Sequence, residues 1–281
     1  MPHLAVMRRG WQNEHLAAFL LSKLAFVAQP AKIGDDVGTD FFCTFFEILT
    51  QKDTDFLIPK SSFAIQIKSD GTAVDATKQI EYLMRIELPF FVGIVNQESS
   101  VLTIYSGEYL PIFFSHKGTP KSLVLQLEAS GNFDVESYLI EKGSDSFVLR
   151  CPLVTTLSTT TTSEGFVEAS RQLRKVATNI QTNIAARINK ENLFGIGENG
   201  QIPVIMAGPG SVEVFRENFK RRLAEACYNL IWIADNPNYS FDRDEGNLYS
   251  KICDEMSIFE IELPQYLKEV AEELKKRLKA T

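Results

Sequence analysis

Three groups of residues near the start of the chain carry side chains suited to chemistry. Glu14 lies where Ala18, Leu21 and Ala25 recur at helical spacing. A wheel of about 100° per residue therefore puts its carboxylate on the apolar face, away from Gln12 and Lys23. Burying a carboxylate is costly unless a cation or a donor compensates it; the plain alternative is a solvated Glu near a helix start. Asp40 ends the tripeptide Gly38-Thr39-Asp40 at the mouth of a strand, where a glycine lets the backbone turn tightly and a carboxylate can reach a metal in a cleft. Asp35 and Asp36 compete with it, but they fall in a turn, where Asp usually caps its own backbone. In Phe63-Ala64-Ile65-Gln66-Ile67-Lys68, side chains alternate between faces: Phe63, Ile65 and Ile67 share one, and Ala64, Gln66 and Lys68 share the other. A mid-strand Lys two residues from a Gln is placed to meet something, although a half-exposed strand reads the same way. Magnesium and manganese favour oxygen ligands, which Glu14, Asp40 and the Gln66 amide offer.

The elements that must position these residues can be read from the pattern. Residues 11–28 read as an amphipathic helix that Gln29-Pro30 ends. Residues 34–38 form a turn, 40–50 a strand, 51–59 a polar connection and 63–69 a second strand. Residues 75–87 read as a helix, in which Ile80, Leu83 and Met84 mark the buried side and leave Gln79 and Tyr82 for the cleft. The continuous apolar run 89–96 suits a strand covered on both faces, and 101–105 is its partner. Helix, strand, strand, helix, strand, strand is an α/β sandwich pattern. Strand-like segments continue to residue 154. The low-complexity segment Thr155–Ser163 is the best linker candidate. This gives a domain over 1–154, a linker over 155–163 and a mainly helical region over 164–281, with helices near 164–192, 211–234 and 258–279.

Composition bounds the class. The 281 residues are 44% hydrophobic and 23% charged, enough for a real core in one large or two small domains. No apolar run approaches the roughly 18 residues of a membrane span, and no small-residue cleavage site follows Arg8 and Arg9, so neither a membrane span nor a secretory leader is expected. Cys43, Cys151, Cys227 and Cys253 are scattered, without a CxxC pair, and there are only three His. Free buried thiols in a reducing cytoplasm follow, and a zinc site does not. The net charge of -7 argues against non-specific coating of nucleic acid; it does not exclude a local basic groove, and it fits a chain that devotes carboxylates to a metal.

An inward helical Glu, then Gly-x-Asp opening a strand, then Gln-x-Lys on the next strand, then a helix and an apolar strand resembles the PD-(D/E)XK nuclease superfamily over roughly residues 9–105. The likeness is greatest to the branch with Gln-x-Lys, seen in some restriction-type nucleases and in a bacterial family with Gly-x-Asp followed by Gln-x-Lys. The resemblance implies a restriction-endonuclease-like α-β-β-β-α-β fold and a metal-dependent endonuclease. By it, Asp40 matches the central metal-binding aspartate, Gln66 takes a position more often Glu or Asp, and Lys68 matches the lysine that positions or activates the attacking water. Glu14 matches the supporting helical carboxylate, and the Ile67 carbonyl would be a further ligand of Mg²⁺ or Mn²⁺. DNA is the implied substrate, and bacterial restriction or anti-phage defence the implied setting. Gln66 is a departure: a neutral amide removes one negative charge, which leaves open a catalytically degenerate module that binds nucleic acid or protein.

Other signals are weaker. Gly195 to Gly200 matches GxGxxG literally but follows a helix-like segment, and it reads as a loop. Val204–Ala207, a glycine loop and a helix from Val212 could hold an anion, yet Ser211 is a good N-cap by itself. Arg216, Lys220, Arg221 and Arg222 share a helix with Glu213, Glu217 and Glu225, as on a solvated, ion-paired face. The stripe Leu267, Val270, Ala271, Leu274 and Leu278 suits packing within the domain or against a second subunit, and one stripe does not decide between them. A homo-oligomer is expected because neither half of the chain is a basic module that would hold DNA by itself.

Overall fold

The structure is a computed structural model. It describes residues 2–30, 38–51, 54–129, 137–196, 203–208, 210–236 and 243–258, with isolated positions beyond. Asp35 and Asp36, most of the GxGxxG segment and the apolar stripe of the last helix lie outside the described residues. The chain divides into two compact units, Met1–Ala207 and Gly208–Thr281.

The first unit is a mixed α/β body. Helix α1 (Pro2–Leu21) precedes a short edge strand β1 (Phe26–Ala28), then β2 (Phe41–Gln51) and β3 (Thr54–Lys68). Strand β4 (Ala73–Asp75), a 3-10 turn over Thr77–Gln79, helix α2 (Ile80–Arg85), β5 (Phe90–Asn96) and β6 (Val101–Ser106) follow. Helix α3 (Leu110–Lys117), β7 (Ser122–Glu128), β8 (Leu139–Gly143), β9 (Ser146–Ser158), helix α4 (Ser163–Ile188) and the hairpin β10 (Leu193–Ile196)–β11 (Pro203–Ala207) complete it. The main sheet runs β1-β2-β3-β5-β6-β9-β7-β4, with β8 also paired to β9. Most pairings are antiparallel. The parallel ones are β3 with β5, across the α2 crossover, and β7 with β9. Strand β9 spans both halves of the sheet, pairing with β7 through Ser146–Pro152 and with β6 from Leu153 onward.

Alternation along the strands builds two cores. One face carries Phe41, Cys43, Phe45, Phe63, Ile65, Ile67 and Phe91, packed under Ala17, Leu20 and Leu21 of α1 and Leu173, Ala177 and Ile180 of α4. The other carries Ala64, Phe90 and Val92 under Ile80 and Leu83 of α2 and Ile112 and Phe113 of α3. Phe63 is fully buried and sits edge-on to Phe91 at 5.1 Å.

Several elements differ from the sequence expectation, each for a local reason. Helix α1 ends at Leu21, where the Ser22 hydroxyl donates to the Phe19 carbonyl; residues 26–28 instead pair with β2 as its edge strand. The expected polar connection 51–59 is mostly strand: β2 and β3 continue as a two-stranded arm in which Leu49 faces Phe56 and Ile48 faces Leu57, all exposed. The helix expected from residue 75 starts later, because the Asp75 carboxylate accepts the Thr77 N–H at 2.9 Å and closes a turn there. The expected linker 155–163 belongs to the fold. Thr155 to Ser158 finish β9, and Thr162 N-caps α4 by accepting the Gly165 N–H at 3.2 Å. The division therefore falls after Ala207, and α4 belongs with the sheet rather than with a separate helical region.

The second unit contains helix α5 (Val212–Asp235) and helix α6 (Arg243–Ile258), which pack on each other. Ser211 caps α5 by accepting the Val214 N–H at 3.3 Å, as its type suggests. Among the described residues no helix is long and apolar enough to cross a membrane.

Candidate metal site

Asp40 immediately precedes β2 and is held twice by β3. Its N–H donates to the Ile65 carbonyl at 3.0 Å, and its carboxylate Oδ2 accepts the Ile67 N–H. The carboxylate thus takes the place of a backbone carbonyl at the end of the β2–β3 ladder. Ala64 donates on the other side of the strand, to Pro89 at 2.8 Å, so successive peptide groups of β3 point to alternate neighbours. The Ile67 carbonyl leaves the strand on the same side as its N–H, toward Asp40.

Gln66 stands between the two residues that hold Asp40. It is only 5% exposed, and its Oε1 has no hydrogen-bond partner among the described residues. A buried amide oxygen without a donor forgoes a substantial solvation energy, on the order of 1–3 kcal/mol. Lys68, half-buried, completes the Gln-x-Lys face and acts electrostatically on Asp40. Burial pushes the Asp40 carboxyl above the usual carboxylate range; the Ile67 N–H and the Lys68 charge pull the other way without cancelling it. Asp40, Ile67 and Lys68 are therefore brought together, with Gln66 between them by register.

Glu14 is placed differently. It is half-buried on α1, whose apolar side covers the sheet face of Ile65 and Ile67, whereas Gln66 and Lys68 lie on the face of Ala64. The fully buried polar residue of α1 is its neighbour Asn13, 2% exposed, with Oδ1 unpartnered among the described residues.

No protein-family model, curated protein or solved structure matches this chain. The site thus stands on its own geometry. Among the described residues no cluster of three or more His, Cys, Asp and Glu side chains is placed to hold a metal ion. An oxygen set of one carboxylate, one amide and one main-chain carbonyl is a different kind of cradle. It fits a hard divalent cation, which would relieve both the desolvated Asp40 and the orphaned Gln66 oxygen.

Helix α2 encloses the site from the Ala64 side. Thr39 is buried, and its Oγ1 shares a 2.6 Å hydrogen bond with Tyr82 Oη. Gln79 packs on Gly38, and its own buried Oε1 has no partner among the described residues. The helical pattern of residues 75–87 leaves Gln79 and Tyr82 for the cleft, whereas a buried Thr in a turn, such as Thr39, carries no signal of its own in the sequence.

A second polar cluster lies elsewhere on the sheet. Glu108 follows β6, and burial pushes its carboxyl up to about 7 against hydrogen bonds from Tyr109 and Ser106. Tyr109 stacks on Tyr138 at 5.1 Å, and Arg150 binds Glu128 at 2.6 Å and Ser137 at 2.8 Å. Ser106 pairs with Phe91, while Lys68 pairs with Ile94. Gln66, however, pairs with Val92, next to Phe91, so along β5 the two clusters are near neighbours and Lys68 is the member set further off.

Proposed function

We propose that the chain is a metal-dependent endonuclease of restriction-endonuclease-like fold that hydrolyses phosphodiester bonds of DNA. The observation that carries this reading is a desolvated Asp40 carboxylate together with a buried Gln66 amide oxygen that has no partner among the described residues, beside Lys68. A divalent cation would compensate both oxygens, and Lys68 acts electrostatically on Asp40 from the same strand.

Asp40, the Gln66 Oε1 and the Ile67 carbonyl would hold Mg²⁺ or Mn²⁺, while Glu14, on the helix that covers the other face of the sheet, stands outside this set. When bound, such an ion supplies a Lewis acid that polarises the scissile phosphate and makes water nucleophilic near neutral pH. Asp40 is oriented for this by its bond to the Ile67 N–H. Lys68 adds a fixed positive charge beside the phosphate and orients the attacking water. The neutral Gln66 leaves Asp40 as the negative charge of the proposed set. On this reading the protein works in the cytoplasm as a homo-oligomer, in bacterial restriction or defence against foreign DNA.

The second reading is a catalytically degenerate module that binds nucleic acid or protein. The neutral Gln66 and the lack of an acidic cluster among the described residues favour it. Incubation of plasmid and linear DNA with Mg²⁺ or Mn²⁺, beside Asp40→Ala and Lys68→Ala, separates the two. The nuclease reading expects cleavage that both substitutions abolish. Cleavage that survives both sinks the site assignment. Absence of cleavage of any DNA or RNA, with no metal at Asp40 in a crystal soak, supports the binding module.

A further inference from the structure

The tripeptide that carries Asp40 is gripped from one side by a single short helix. Gly38 has φ +75°, a left-handed conformation that favours glycine. A Cβ there would stand 3.1 Å from Tyr82 Cδ1 and 3.2 Å from Gln79 Cδ, so α2 is packed directly on this backbone. One residue on, the buried Thr39 hydroxyl is tied to Tyr82 Oη at 2.6 Å. One residue further, the Asp40 carboxylate reaches the Ile67 N–H. Three successive residues are therefore fixed by α2, α2 and β3 in turn, and 43 residues of chain separate the partners of the Thr39–Tyr82 bond. The backbone that carries Asp40 is thus anchored at Gly38 and Thr39 by contacts with Gln79 and Tyr82 and at Asp40 itself by the Ile65 carbonyl.

We propose that Tyr82 is a positioning residue that acts through Thr39 to aim the Asp40 carboxylate at the Ile67 N–H and at the cation site. The functional half of this proposal rests on the metal-site reading above; the geometric half does not. Tyr82→Phe keeps the ring that packs on Gly38 and removes only the hydroxyl. Thr39→Val removes the other partner at nearly constant shape, and Thr39→Ser keeps it.

The test is amide hydrogen exchange of metal-free protein followed by NMR, together with titration by Mn²⁺ alone. Tyr82→Phe and Thr39→Val should each speed exchange at Ile67 about fivefold, the weight of one hydrogen bond. The amide of Ala64, bonded to Pro89, should stay unchanged and reports that the fold is intact. The double variant should be no faster than either single one, and Thr39→Ser should match the wild type. Mn²⁺ affinity should fall by a similar factor in the same variants. Unchanged exchange at Ile67 in Tyr82→Phe overturns the positioning role. Faster exchange at Ile67 with Mn²⁺ affinity unmoved, or absent in the wild type as well, upholds the positioning of Asp40 and overturns the metal-site reading instead.

Discussion

Glu108 ties the stability of the first unit to pH, and the sign follows from its burial. The residue is half-buried in the turn after β6, its carboxyl turned inward, and its backbone N–H donates to the Ser106 hydroxyl at 3.0 Å. Tyr109 and Ser106 donate to its side chain and favour the ionised form, but desolvation outweighs them and lifts the group from 4.5 to about 7. The described groups around it are consistent with this: Tyr109 and Cys151 are pushed up by burial and further by the Glu108 charge, and Arg150 is engaged with Glu128. Between about 4.5 and about 7 the folded chain keeps a proton that the unfolded chain has lost, so stability falls as pH rises through this window and is fully present below it. The span, at about 1.4 kcal/mol per pH unit, bounds the loss at about 3 kcal/mol; with partial solvent contact, about 1–2 kcal/mol is expected. Glu108→Gln keeps the shape without the charge. Urea unfolding of both proteins from pH 4.5 to 8, followed by Trp11 emission in a Trp232→Phe background, reads the first unit. The two should coincide near pH 4.5, and the variant should be the more stable by about 1–2 kcal/mol at pH 8. A difference that does not change with pH would refute the reasoning, since other titrating groups, Asp40 among them, cancel in the comparison.

Two other outcomes follow from backbone and burial. Gly38→Ala places a Cβ against Tyr82 and Gln79 at a left-handed φ, and should destabilise the first unit by about 1–3 kcal/mol in the same unfolding assay; a cost below about 0.5 kcal/mol would mean the turn is loose. Cys43 and Cys151 are free and buried, the Cys43 thiol being pushed up to about 12 by desolvation, so both should resist a thiol reagent at pH 8 until urea unfolds the chain; mass mapping of the native protein labelled at either residue would contradict the burial.

What the sequence made legible, and what it hid, follows from the range of each interaction. The alternation in Phe63–Lys68 assigns both faces of β3 correctly because period 2 is a property of the strand alone. The apolar run 89–96 marks a strand covered on both faces for the same reason. The face of α1 is harder to place. A wheel that includes Ala25 centres on Glu14, Ala18 and Leu21, but the helix stops at Leu21, and Asn13, Ala17, Leu20 and Leu21 are the buried set. Ala25 lies past the helix end, so counting it turned the wheel by about one residue. The Thr-rich segment misleads in another way: low complexity suggests a linker, while the β-branched side chains favour the strand they form and Thr162 favours the N-cap it provides. The Thr39–Tyr82 bond was out of reach, since nothing local in either residue announces a partner 43 positions away.

The placement of charge bears on how a chain with net charge -7 could engage DNA. Residues 1–120 hold 10 basic and 13 acidic side chains, and residues 121–281 hold 19 and 23, so neither part is a basic module. In the first unit several cations are already committed: Arg150 to Glu128, Lys117 to Glu141, Lys60 to Glu47 and Arg171 to Glu168. Long-range attraction of a polyanion is therefore weak. On the proposed reading the attraction must be local, supplied by Lys68 and by a divalent ion that offsets Asp40. Gln66 then has a definite consequence. A carboxylate at that position would raise ion affinity but leave one more negative charge facing the phosphate; the amide keeps an oxygen ligand and lowers the repulsion. Gln66→Glu should accordingly tighten Mn²⁺ binding while making DNA binding without metal weaker and more salt-sensitive, and opposite signs in those two measurements would show that Gln66 does not face the cation.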